Sequence, residues 1–287
     1  TSEKTFVGYF ESWSAPWSDD PQCLQLANIA PYVNMVIVSF MQPDATYPGG
    51  DTMLGTGLEF SSDPSVVKKA IAVLKQRNPQ TRVLIGVGGA AYSKFGDLNP
   101  GAVAGVVKNF GFDGVDINYD PHGRWSDDEY RHIVRAIRQA LPRPYLVTVA
   151  AKSVGAYGEG EWANAQPSTP WTGVLLGLLR SPEAEMIDQL NVMSYDAGTS
   201  YNPVEAMTAY QHIFKGNIVM GVSVAPEIWG GHVCTLAEVE RLAQAVIDQN
   251  AAGMMLWSLQ KRELPGTPTA QQIAQKICEK LSLGDCS

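Results

Sequence analysis

No apolar stretch in the chain approaches the roughly 20 residues that a membrane-spanning helix needs. There is no basic run and no arginine patch interleaved with aromatics, and the net charge over 287 residues is −8. Phosphate backbones are bound by clustered Lys and Arg, so neither nucleic acid nor a membrane is an expected partner. The four cysteines, Cys23, Cys234, Cys278 and Cys286, include no Cys-x-x-Cys pair and no histidine at ligand spacing. No zinc site, other metal or cofactor is therefore expected. Cys278 and Cys286 are near enough to close a small loop at the C-terminus, with free or buried thiols an equally open alternative. No Asn-x-Ser/Thr sequon occurs, and Thr1-Ser2-Glu3-Lys4 is no charged-then-apolar leader, so a signal peptide is expected to have been removed or never to have existed. No low-complexity linker or shift in composition divides the sequence.

What is present is an ordinary globular composition, 45% hydrophobic and 17% charged, with one unusual segment. Asp113-Gly114-Val115-Asp116-Ile117-Asn118-Tyr119-Asp120 sets acidic and amide positions into an apolar run. Residues two apart on a strand share a face, so Asp116, Asn118 and Asp120 form one row while Val115, Ile117 and Tyr119 point the other way. A buried parallel strand normally reads as continuous Val, Ile and Leu. Carboxylates and an amide on it are costly unless paired, hydrogen-bonded or used.

Eight short apolar runs recur: 6–10, 35–41, 82–88, 114–119, 145–151, 189–195, 217–224 and 253–259. Helical periodicity fills the intervals. Asp63-Pro64 reads as an N-cap followed by proline at the first helical position, and Ser126 with Glu129, like Thr235 with Glu238, reads as a capping box. Eight strand–helix alternations predict one α/β domain, a (β/α)8 TIM barrel spanning 1–287. The rival open sheet lacks its fingerprint, since Gly86-Val87-Gly88-Gly89-Ala90 is not G-x-G-x-x-G and follows the third run.

Barrel chemistry sits where strands end. The residues there are Tyr9, Glu11 and Trp13, then Phe40 and Gln42, Gly88-Gly89, Asn118 and Asp120, Lys152, Tyr195-Asp196, Glu227 and Trp257. Aromatics interleaved with acids suit a sugar ring, which stacks on flat faces and offers hydroxyls to carboxylates. Trp13, Trp17, Trp125, Trp162, Trp171 and Trp229 fall mostly in loops and suggest binding surface, though each could serve packing. His122, Glu161 and Glu227 are outside candidates for an acid or base, and Asp113 is expected to serve the scaffold.

Five of these segments resemble glycoside hydrolase family 18. They are Gly8-Tyr9-Phe10, Gly86-Val87-Gly88-Gly89, Phe112-Asp113-Gly114-Val115-Asp116, Met193-Ser194-Tyr195-Asp196 and Trp257-Ser258, in family order across nearly the whole chain. The resemblance implies substrate-assisted cleavage of N-acetylglucosaminides, an exception to the two-carboxylate scheme. A Glu ending D-G-x-D-x-D-x-E protonates the leaving oxygen, the substrate's acetamido carbonyl attacks, and the third Asp steadies the oxazolinium. The tyrosine of M-x-Y-D, here Tyr195, bonds the acetyl oxygen, and the strand-eight tryptophan, here Trp257, floors the sugar. The resemblance also favours secretion.

The chain departs from the pattern at two positions: Asn118 replaces the third Asp and Asp120 replaces the Glu. Asn118 can hydrogen-bond an acetamido group but brings no charge, and Asp120 keeps an acid with one methylene less reach. Aromatic and carboxylate neighbours could keep Asp120 protonated near neutrality. The expectation is a carbohydrate-binding or related small-molecule-binding protein with weak or no chitin hydrolysis. Its catalytic positions are Asp116, Asn118, Asp120 and Tyr195, and its ligand contacts are Tyr9, Phe40, Asp196 and Trp257. The alternatives are repurposed acid–base chemistry in the same pocket, or an active chitinase or endo-acting N-acetylglucosaminidase with Asp120 as acid.

Overall fold

A computed structural model describes residues 3–228 and 232–287. Trp229, one of the loop tryptophans named above, lies outside the described residues. Eight parallel strands are hydrogen-bonded in chain order as a closed barrel. They are β1 Thr5–Glu11, β2 Met35–Met41, β3 Arg82–Gly88, β4 Gly114–Asn118, β5 Leu146–Lys152, β6 Gln189–Met193, β7 Asn217–Ser223 and β8 Gly253–Trp257. The helices are α1 Pro64–Arg77, α2 Pro100–Phe110, α3 Asp127–Ala140, α4 Leu176–Leu179, α5 Pro203–Ile213, α6 Leu236–Asp248 and α7 Ala270–Leu281. The alternation fails once among the described residues: β1 and β2 are joined by short 3₁₀ turns at Ser12–Ser14 and Gln25–Asn28, not by an α-helix.

The chain forms two compact units, Tyr9–Thr148 and a second made of Thr1–Gly8 with Val149–Ser287. In the first, α1 buries Val67, Ala70, Ile71 and Leu74, and α3 buries Tyr130, Ile133, Val134 and Ile137. In the second, α6 buries Val239, Leu242, Ala243 and Val246. Each set recurs at i, i+3, i+4 and i+7, the single stripe by which a helix covers a sheet. Each fully buried Val, Leu or Ile there contributes about 1.5–3 kcal/mol.

The capping signals located helix starts but not all of their chemistry. Ser126 accepts from the Glu129 N–H at 3.1 Å, and Thr235 from the Glu238 N–H at 3.1 Å. Neither acid returns the bond: Glu129 accepts from the Tyr119 hydroxyl, and Glu238 pairs with His232. The reciprocal box forms instead at Thr269 and Gln272, which open α7. Asp63 precedes α1 without a side-chain capping bond. Cys278, fully buried on α7, is bonded to Cys286 across a Cα–Cα distance of 5.7 Å, while Cys23 and Cys234 are free thiols.

Candidate functional site

In the unit Tyr9–Thr148 the row on β4 is anchored by Asp116, which is fully buried. The Tyr9 hydroxyl donates to its Oδ2 at 2.7 Å and Thr148 Oγ1 donates to its Oδ1 at 2.6 Å. A carboxylate without water is tolerated only with such partners, so β1 and β5 each supply a hydroxyl to β4. Thr148 was not singled out from the sequence. The available signal was a hydroxyl in the middle of the run Val147-Thr148-Val149, which in a core must find a partner.

Asn118 ends β4 and is 9% exposed. Its backbone carbonyl accepts the Gly89 N–H at 2.9 Å. Gly88, at φ +108°, makes the approach possible: a Cβ there would lie 2.1 Å from the Asn118 carbonyl oxygen. Asp120 lies two residues beyond the strand and is partly exposed. Asp113 is not part of the row. It sits before β4, where Lys75 contacts its Oδ1 at 2.7 Å and the Val83 N–H donates to its Oδ2 at 2.8 Å, the scaffold role expected of it.

The opposite face of the segment is aromatic. Tyr119 packs on Phe95, Trp125 and Tyr130 with ring centroids 5.3, 4.9 and 4.7 Å away, and its hydroxyl donates to Glu129 Oε1 at 2.7 Å. Burial and the Glu129 carboxylate push the Tyr119 phenol above its ordinary range. Trp125 is thus part of this packing.

Phe40, beyond a cis Ser39–Phe40 peptide, stacks on Trp13 with centroids 6.2 Å apart. Both line a cavity of about 300 Å³ with Gly57, Glu59, Ala90 and Tyr92. This is an apolar recess with one carboxylate and a 44% exposed indole, suited to a flat sugar face. Glu59 and Tyr92 were not legible as site residues, because each lies in a long connection without a strand to place it.

In the second unit Tyr195 and Asp196 follow β6 and Trp257 ends β8, all three partly exposed. The Tyr195 hydroxyl approaches Met255 Sδ at 3.8 Å. Its ring runs close to Gly221 on β7, where a Cβ would stand 3.0 Å from the ring. Asp196 has φ +58°, and its Oδ1 accepts the Ile228 N–H at 3.0 Å. Glu227 is buried, and desolvation with the Asp196 charge raises its carboxyl above the ordinary range. Lys152, at the end of β5, lies 5.1 Å from the Trp171 ring centroid.

Of the outside candidates, His122 is exposed and has a ring nitrogen 2.8 Å from the Ala90 carbonyl. Glu161 is exposed on a 3₁₀ turn, Trp162 packs on His212, and Trp17 is exposed. Among the described residues no cluster of three or more His, Cys, Asp or Glu could hold a metal ion, and no helix is long and apolar enough to cross a membrane.

A family model described as Glycosyl hydrolases family 18 matches residues 5–226. The chain belongs to that family. The chitinase of Plasmodium falciparum (isolate 3D7) is 27% identical over 168 residues, covering 52% of this chain and 43% of the relative. Chitinase A1 of Niallia circulans is 25% identical over 199 residues, covering 58% and 26%. The chain thus spans less than half the length of either curated relative. Among solved structures, human YKL-39 superposes with a TM-score of 0.66 at 14% identity, over 98% of this chain and 100% of its own. That protein is described as a pseudo-chitinase with retained chitooligosaccharide binding properties.

Proposed function

We propose that the protein binds chito-oligosaccharides or closely related carbohydrates and hydrolyses chitin weakly or not at all. The observation that carries this is the state of the β4 row. Asp116 is buried and held by two hydroxyl donors, whereas the two positions after it that perform the family's chemistry carry Asn118 and Asp120. Human YKL-39, described as a pseudo-chitinase that retains chitooligosaccharide binding, is a precedent for the combination.

We adopt the family's assignment for the residues that match it. Tyr195 would bond the acetyl oxygen, Trp257 would stack on the sugar, and Tyr9, Phe40 and Asp196 would contact the ligand. Asn118 would orient the acetamido group without supporting a positive oxazolinium. Loss of one charge aimed at a developing ion is comparable to loss of an oxyanion-hole donor, about 2.7–4 kcal/mol of barrier. Asp120 keeps a carboxyl group with one methylene less reach, and a displacement of about 1 Å from attack geometry costs on the order of 10²-fold. The two effects together leave binding intact and chemistry slow.

Calorimetric titration with N-acetylated chitotetraose, run beside a reducing-end assay on the same oligosaccharide, tests this. Saturable binding with little or no turnover is expected. Turnover at the rate of an ordinary family member, or no binding at all, overturns it.

A further inference from the structure

The recess beside Phe40 lies wholly within the unit Tyr9–Thr148 and is walled mainly by aromatic and small residues. Trp13 stacks on Phe40 and is itself exposed. The Tyr92 hydroxyl donates to the Gly57 carbonyl at 2.6 Å, so that donor is already committed. Gly57, at φ +89°, permits this closeness: a Cβ there would stand 3.1 Å from the Tyr92 ring and 2.9 Å from the Gln42 nitrogen.

Against this lining stands one carboxylate. The Glu59 N–H donates to the Oγ of fully buried Ser12 at 3.2 Å, which pins its main chain to the turn after β1 and leaves its side chain exposed. Among the described residues that line the recess, Glu59 is the one charged group near neutrality, and none is basic. His122, the basic side chain bonded at this edge, meets the Ala90 carbonyl and is not part of the lining. The Glu59 charge is felt inside: burial first, and this carboxylate after it, raise the Tyr92 phenol above its ordinary range.

Aromatic faces attract cations, and a carboxylate without a basic neighbour favours one more strongly than it favours a neutral amide. A sugar that bears a free amine supplies both halves of the match, a flat ring face for Trp13 and an ammonium for Glu59. An N-acetylated sugar supplies the first alone. We propose that the recess is a subsite selective for a glucosamine unit, whose ammonium pairs with the Glu59 carboxylate beside the Trp13–Phe40 pair. This rests on the carbohydrate-binding function proposed above and narrows its ligand to partly deacetylated chito-oligosaccharides.

The test uses the full chain with Glu59→Gln and Glu59→Asp. Both replacements keep the backbone N–H that bonds Ser12. Calorimetric titrations at about pH 7, where an ordinary amine of pKa about 7.7–8.0 is mostly protonated, compare chitotetraose with its four isomers that carry one glucosamine each. One isomer should bind about fivefold more tightly than chitotetraose, the combined effect of an exposed ion pair and a cation–π contact. That ratio should fall to about one in Glu59→Gln, survive in part in Glu59→Asp, and shrink as salt is raised. No isomer tighter than chitotetraose overturns the proposal, and so does a preference that persists in Glu59→Gln. A second measurement follows the Trp13 indole N–H by NMR during titration with glucosamine or N-acetylglucosamine, which reads the recess without an oligosaccharide. Glucosamine should shift this signal at lower concentration than N-acetylglucosamine, and Glu59→Gln should remove the difference. If no tetraose binds, the carbohydrate function falls while the indole titration still decides the recess; an indole that responds equally to both sugars overturns its selectivity.

Discussion

The Tyr9 hydroxyl donates to Asp116 Oδ2 at 2.7 Å, across 107 positions of sequence, and Thr148 occupies the other oxygen of the same carboxylate. Asp116 is therefore a junction of β1, β4 and β5 as well as a candidate site residue. Tyr9→Phe and Thr148→Val each remove one donor from a buried carboxyl group and should cost about 1–3 kcal/mol. Their double variant should depart from additivity because both bonds end on one group. Urea unfolding of the four proteins measures this.

Restoring the family's acids should restore chemistry. The double substitution Asn118→Asp with Asp120→Glu returns a charge beside the acetamido position and a methylene of reach. Hydrolysis of chitotetraose should rise about 10²-fold or more, with smaller gains for the single changes. An unchanged rate, with binding retained, would place the obstacle in the loops rather than the row.

Tyr119 points away from that row, toward Phe95, Trp125 and Tyr130. Tyr119→Phe should lower stability by about 1–3 kcal/mol through loss of the bond to Glu129. It should leave chitotetraose affinity unchanged. A large affinity change would show that the aromatic face is coupled to ligand.

Glu227 supplies a pH-dependent stability term of definite sign. Burial and Asp196 raise its folded-state pKa above the ordinary glutamate value. The native state then binds the proton more tightly, so this contribution is fully present below the unfolded pKa and is lost as pH rises through the folded one. Glu227→Gln should accordingly be more stable than the unmodified chain near neutrality, with the advantage shrinking as the pH falls. Thermal melts at a series of pH values check it, and an advantage that grows on acidification would reverse the assignment.

Cys286→Ser opens the short loop that fastens the end of α7. Loops of about 15 residues are worth about 3 kcal/mol, and the shorter one here should be worth about 2.5. A reductant should lower the melting temperature of the unmodified chain and leave the variant unaffected.

Much of the barrel was legible because a strand buried on both faces leaves a continuous apolar run. Met35–Met41 and Arg82–Gly88 coincide with their runs to the residue. The runs through Tyr119 and Tyr195 extend past the ends of β4 and β6, because apolar character continues into the loop after ladder pairing stops. The helix predicted between the first two strands was a misreading of a long connection built from 3₁₀ turns. Capping boxes failed where an acid had a better partner: Tyr119 for Glu129 and His232 for Glu238. In the site, strand parity set Asp116, Asn118 and Asp120 in one row, of which β4 holds the first two and ends before Asp120, while the Thr148 bond to Asp116 and the Ile228 bond to Asp196 stayed hidden. Those contacts join residues distant in sequence, and no local spacing records them.

The Asn118 carbonyl, meeting the Gly89 N–H beside a glycine that has no Cβ to obstruct it, separates shape from chemistry at this position. The course of the chain there is fixed through main-chain atoms that every amino acid possesses. Replacing the side chain at position 118 therefore leaves that main-chain bond, and the path of the chain through it, in place.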